Sequence, residues 1–192
     1  MLQQSLAPAF FGAFHKINLK NTIILPCART LWIVAASFAP FVLPVLADNT
    51  PPGVQLSTSH AVPRQVEDTT QKAIVRDYTA AWSALTDALV NNDAGALDSA
   101  FIGIAHDQFA ARVREQLKTG LHTQMIDRAH NLEAVFYSPE GSAMELHDTA
   151  QVEIQVMDGG TVIHSEQTTL HYVVLMTVAE DRWKVRVLQS EK

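Results

Sequence analysis

The chain has 192 residues, 47% of them hydrophobic and 18% charged, with a formal charge of −6 at pH 7 and a mean hydropathy of +0.05. This composition suits one globular domain with additional sequence and excludes a disordered or fibrous protein. The acidic balance argues against a nucleic-acid-binding surface, and a single cysteine leaves no intrachain disulfide and no CxxC zinc or redox site.

Residues 1–47 hold no acidic side chain and only three basic ones, Lys16, Lys20 and Arg29. An apolar run over 31–46 follows and ends at Ala47. Positive, then apolar, then small is the order of a secretory signal peptide. Val45 and Ala47 suit the −3 and −1 positions of a cleavage site. The run is shorter than the roughly 20 residues that cross a bilayer, and Pro40 and Pro44 interrupt any helix near its exit end. Two destinations stay open: a cleaved protein that is periplasmic or secreted, or one anchored in the inner membrane with its domain outside the cytoplasm. Contact with the membrane is expected only through this segment, if it is not cut. Cys27 precedes the apolar run and does not read as a lipidation site.

Over 48–70 the chain carries Pro51, Pro52, Gly53 and Pro63 among Ser, Thr and Gln, and reads as a flexible linker. The folded domain is set at 71–192.

Asp68, Thr69 and Thr70 are N-cap candidates for a first helix reaching Asn91. Its stripe is Ile74, Val75, Tyr78, Ala81, Trp82, Leu85 and Leu89, at spacings of three and four. Asn91, Asn92 and Asp93 stop it, and Asp93 can cap a short second helix with Leu97, Ala100 and Phe101 inward. Asp107 can cap a third helix bearing Phe109, Val113, Leu117 and Leu121, with Gly120 as a stop signal.

After about His130 the period changes to two. Leu132, Ala134 and Phe136 alternate in a first strand. Val152, Ile154 and Val156 alternate in a second, and Asp158-Gly159-Gly160 marks a hairpin. A long strand over 161–178 follows, then a last one with Trp183, Val185 and Val187. A three-residue hairpin loop would oppose Val156 with Val162 and Ile154 with His164. At the last turn, Val178 would face Trp183, Met176 would face Val185 and Val174 would face Val187. One face of the sheet is then apolar and needs the helices as cover. Val173 and Leu175 point to the other face, either as scattered surface or as a homodimer patch.

A helix bearing Tyr78, Trp82 and Leu85, the polar turn Asn92-Asp93, then Leu97 and Phe101, followed by a meander ending in the pairing of 172–178 with 183–187, resembles the NTF2-like superfamily. The resemblance covers about 120 residues and carries no diagnostic motif. It implies an α+β fold in which three N-terminal helices pack on a curved antiparallel sheet of about four strands around a conical pocket. The pocket-facing candidates are Tyr78, Trp82, His164, Glu166 and Tyr172. Members with isomerase activity pair a pocket carboxylate with a tyrosine, for which Glu166 with Tyr172 or Tyr78 is the nearest analogue here. Set against that, His164 and Glu166 lie near the hairpin end, where solvation is the simpler reading, and Tyr78 and Trp82 are ordinary core residues.

No HExxH, GxSxG, SxxK, GxGxxG or Walker pattern occurs in the chain. His106, His122 and His130 sit around the third helix, and His147 and His171 come close in the hairpin register, where Asp148 could join them as a further metal ligand. Neighbours on a strand face opposite ways, so these read as surface histidines and no metal or cofactor is expected. The resulting expectation is an exported, non-catalytic domain that binds an unknown protein partner or itself through the outer sheet face. The alternative is a small-molecule binder or an isomerase- or dehydratase-type enzyme.

Overall fold

The computed structural model describes residues 53–191; the leader or anchor read over 1–47, with its cleavage site, lies outside them. The elements run β1 (Gly53–Ser57), β2 (Val62–Pro63), α1 (Asp68–Asn91), a 3₁₀ helix (Ala94–Ser99), α2 (Gly103–Thr119), β3 (Leu121–Tyr137), β4 (Ala143–Asp158), β5 (Thr161–Ala179) and β6 (Arg182–Ser190). This is an α+β fold with one mixed sheet in the order β1-β3-β4-β5-β6, and β2 also pairs with β3. No helix among the described residues is long and apolar enough to cross a membrane.

α1 forms where its apolar stripe was read, and it buries Ile74, Tyr78, Ala81, Trp82, Leu85, Ala88 and Leu89 against the sheet. Asn92 ends it in the left-handed conformation, with its N–H bonded to the Ala88 carbonyl. The expected second helix is a single 3₁₀ stretch, capped by Asp93 through the Gly95 N–H. The third begins at Gly103, a turn earlier than an Asp107 cap implies, and stops at Gly120 with φ 71°. Two α-helices and a 3₁₀ turn therefore cover the sheet.

The sheet departs from expectation at its N-terminal edge. Residues 53–63, read as tether, supply β1 and β2, which run parallel to β3 at 129–133 and 136–137. Their Pro and Gly content suits an edge, where a missing donor costs little. β3 also starts at Leu121, ten residues before the alternation becomes obvious.

Bulges explain the register differences. The β4–β5 turn is the two residues Gly159 and Gly160, since Asp158 opposes Thr161. Ile163 is then an extra residue on β5, so Val156 meets His164 and Ile154 meets Glu166. That is a two-residue slide from the expected pairing, so the even-numbered positions still share one face. At the last turn Val178 does face Trp183 and Met176 faces Val185, but a bulge at Arg186 moves Val174 opposite Leu188. Further extra residues, Arg128 and Val135, bulge β3. Bulges sharpen twist and bend a strand, which curves this sheet around α1. The apolar face is covered: Val174, Met176 and Val185 are each 0% exposed. Val173 and Leu175, on the opposite face, are half-buried.

Candidate functional site

The densest polar chemistry lies between α1 and the inner face of the sheet. α1 contributes Tyr78 and Trp82, one turn apart on its buried stripe. β4 contributes Asp148 from its inward face, between Leu146 and Ala150. β3 contributes both Asp127 and His130. In a regular strand residues three apart face opposite sides. The bulge at Arg128 cancels one step, so Asp127 opposes Val152 and His130 opposes Ala150, both of them inward-facing partners.

These groups form one chain of contacts. The Tyr78 hydroxyl donates to Asp148 Oδ2 at 2.7 Å. His130 Nδ1 donates to the same oxygen at 2.7 Å. His130 Nε2 lies 2.8 Å from Asp127 Oδ1, an ion contact whose angle falls outside hydrogen-bond geometry. The Trp82 ring stacks on the imidazole at a centroid distance of 4.5 Å, and Tyr78 meets it edge-on at 5.4 Å. Tyr172 packs on the other side of Trp82 at 5.8 Å. Tyr78 and His130 are wholly buried, and Asp148 is 2% exposed.

Burial alone would favour the neutral imidazole, but the flanking carboxylates of Asp127 and Asp148 outweigh it and raise the His130 pKa to about 9. His130 is therefore an imidazolium at neutral pH, with a proton on both nitrogens and a hydrogen bond from Nδ1. Burial, reinforced by the Asp148 charge, holds Tyr78 well above the usual phenol range, and the same two causes raise Tyr172. Both stay neutral. A cation gripped between two carboxylates, one of which also binds a phenol, is able to hold or relay a proton. Here the assembly also ties α1 to β3 and β4.

Asp77 makes a second buried polar lock. Burial would raise its pKa, but the Arg76 guanidinium at 2.8 and 2.9 Å and the Trp183 N–H at 3.0 Å bring it below the usual value. Gln116 makes a third, donating to the Leu89 carbonyl at 3.0 Å and accepting from the Thr123 N–H at 2.9 Å. No group of three potential metal ligands converges among the described residues. A shallow open cleft of about 340 Å³, lined by Arg128, Gln151, Val152, Gln167, Thr168 and Thr169, involves none of the buried cluster.

The five residues singled out from sequence divide three to two. Tyr78, Trp82 and Tyr172 do come together, in ring contact within the packed core. His164 and Glu166 do not join them; they sit 3.7 Å apart on the outlying half of β5, with side chains 44% and 62% exposed. The acid that binds the phenol is Asp148, where the resemblance suggested Glu166. His147 faces Val173 and His171 faces Thr149, so the two are diagonal neighbours on the outer face. His130, grouped with surface histidines, is instead the centre of the cluster. Asp127 was not among the candidates, and Asp148 was considered only as a metal ligand beside His147 and His171. The available signal was an inward-phase Asp148 between Leu146 and Ala150, a carboxylate at an apolar position.

No family model matches the chain, and no curated protein matches it. Solved structures do. The intermembrane space region of the chloroplast protein ARC6 superposes with a TM-score of 0.54 at 15% identity, covering 67% of this chain and all of that one. A putative dehydratase from the NTF2-like family of Streptomyces avermitilis aligns more loosely, at a TM-score of 0.43 and 12% identity over 65% of this chain and 97% of that one. A putative scytalone dehydratase from Novosphingobium aromaticivorans gives 0.44 and 13%, over 65% and 85%. Identities this low speak to fold alone. With a long helix wrapped by a bulged sheet and Tyr78, Trp82 and Tyr172 gathered between them, this chain shares the fold of the ARC6 intermembrane space region.

Proposed function

We propose that this chain is an exported, non-catalytic NTF2-like domain that serves protein–protein assembly at the bacterial envelope. The observation that carries the reading is the enclosure of the acid–base cluster: Tyr78, His130 and Asp148 are 0–2% exposed, and the first two direct their hydrogen bonds to the Asp148 carboxylate. Groups that brace helix against sheet without meeting solvent contribute rigidity, and function then falls to the surface. The fold also occurs in an intermembrane space region, a setting compatible with export through the segment at 1–47. Cleavage after Ala47 would make the protein periplasmic or secreted; retention would leave it anchored in the inner membrane.

A second reading has its own observation. Asp127 Oδ2 and Asp148 Oδ1 are buried without a hydrogen-bond partner among the described residues, and buried acceptors are rarely left so. In that reading Asp148 is the base of an isomerase- or dehydratase-type site, with the Tyr78 phenol as donor, reached when the cone opens.

The Asp148→Asn variant separates the two. In cells lacking the gene, a bracing role predicts that Asp148→Asn lowers the unfolding temperature yet restores the phenotype wherever it remains folded. A catalytic role predicts loss of the phenotype with stability unchanged or raised, since active-site charges are commonly held at a cost. Terminal sequencing of the exported protein, beginning at Asp48, checks the leader.

A further inference from the structure

β5 is covered by β6 only from Tyr172 to Ala179, while β4 pairs with it along nearly its whole length. The stretch 161–170 therefore has a free edge, with no strand on its outer side among the described residues. A run of ten residues extends over roughly 30 Å of strand. Thr161 to Gln167 are all exposed, including Val162 at 46% and Ile163 at 55%. Free edges are normally blunted by lysine, proline or strong bulges. This one has neither lysine, arginine nor proline, and its single bulge lies at Ile163.

We propose that this edge pairs antiparallel with the same edge of a second copy, about a two-fold axis at Ser165. The inference rests on the assembly reading and supplies its partner. Geometry limits the registers. A two-fold axis perpendicular to the sheet keeps each residue on its own face, and directly opposed residues share a face. The axis must then pass through a residue. At His164 it would set imidazole against imidazole, and at Glu166 carboxylate against carboxylate, which is unfavourable for like charges directly opposed. At Gln167 it would pair neither charge. At Ser165 it places His164 against the partner's Glu166 and Glu166 against the partner's His164. The two side chains already lie 3.7 Å apart within one chain and are half to mostly exposed, so each is free to turn to the partner. The Ile163 bulge stays outside the central triplet. The serine at the axis is small enough for its copy to sit opposite it.

The chain has one cysteine, Cys27, so disulfide trapping has a clean background once Cys27→Ser is made. Cβ atoms of directly opposed residues are about 4.5–5.5 Å apart, close to disulfide reach. Two copies of residue 167 would be four positions out of line, roughly 14 Å along the strand. Mild oxidation of the full chain should therefore convert Ser165→Cys, and not Gln167→Cys, to a covalent dimer. Sedimentation of the native chain should give a dimer mass. Glu166→Lys should weaken dimerisation at least about tenfold, and adding His164→Glu should restore it by exchanging the charges. A monomeric native chain overturns the pairing. So does a dimer that Ser165→Cys fails to trap, as one formed through Val173 and Leu175 on the outer face would be, or equal trapping at 167. Any of those results leaves the Asp148→Asn test of the assembly reading unaffected.

Discussion

The buried imidazolium makes stability depend on pH in a direction that can be worked out beforehand. His130 has a folded pKa of about 9, against about 6.5 for an unfolded imidazole. A raised folded value stabilises the native state fully below about pH 6.5, and that contribution is lost as pH rises through about 9. The full difference corresponds to roughly 3 kcal/mol, most of which persists at pH 7 and almost none at pH 10. Asp148→Asn keeps an acceptor for the Tyr78 hydroxyl but withdraws one of the two carboxylates that hold the proton. Stranding a buried charge completely costs about 3–5 kcal/mol. Because His130 keeps Asp127 at 2.8 Å, the expected loss is smaller, about 2–3 kcal/mol at pH 6. That is roughly 6–10 °C in unfolding temperature for a domain of this size. At pH 10 the imidazole is neutral in both proteins, and the gap should close to about 1 kcal/mol, the worth of neutral hydrogen bonds. Thermal unfolding followed by circular dichroism from pH 6 to pH 10, as native minus variant, isolates this group from residues common to both. A difference that is the same at both ends, or a variant as stable as the native protein at pH 6, would refute the imidazolium argument.

Two further locks give independent tests by chemical denaturation. Asp77→Ala removes the acceptor of the Trp183 N–H and the partner of Arg76, 2% exposed. It should cost about 2–3 kcal/mol through the unpaired backbone donor and lost charge-assisted bonds, with β6 losing amide protection first. Gln116→Leu is close in size but strands the Leu89 carbonyl and the Thr123 N–H. An expected loss of about 2 kcal/mol should appear with faster exchange at the start of β3, and an unchanged midpoint would show that these bonds contribute nothing net.

How much of this was legible beforehand follows from which residues obey a simple period. The stripe Ile74, Tyr78, Trp82, Leu85 and Leu89 fixes α1 because only a helix puts those positions on one side. The alternation around Val174, Met176 and Val185 fixes which face of the sheet is buried, and it survives a two-residue slip because the period is even. From these came the α+β class and the gathering of Tyr78, Trp82 and Tyr172. What the sequence could not display is where the period is broken. Bulges at Arg128, Val135, Ile163 and Arg186 carry no local motif; they arise because long strands must bend around a helix, and that demand exists only in the folded chain. The Arg128 bulge alone turns Asp127 and His130 to the same side, so the buried Tyr78–Asp148–His130–Asp127 cluster is a product of tertiary structure. The same holds for β1 and β2, whose five and two residues become strands only because β3 offers them an edge.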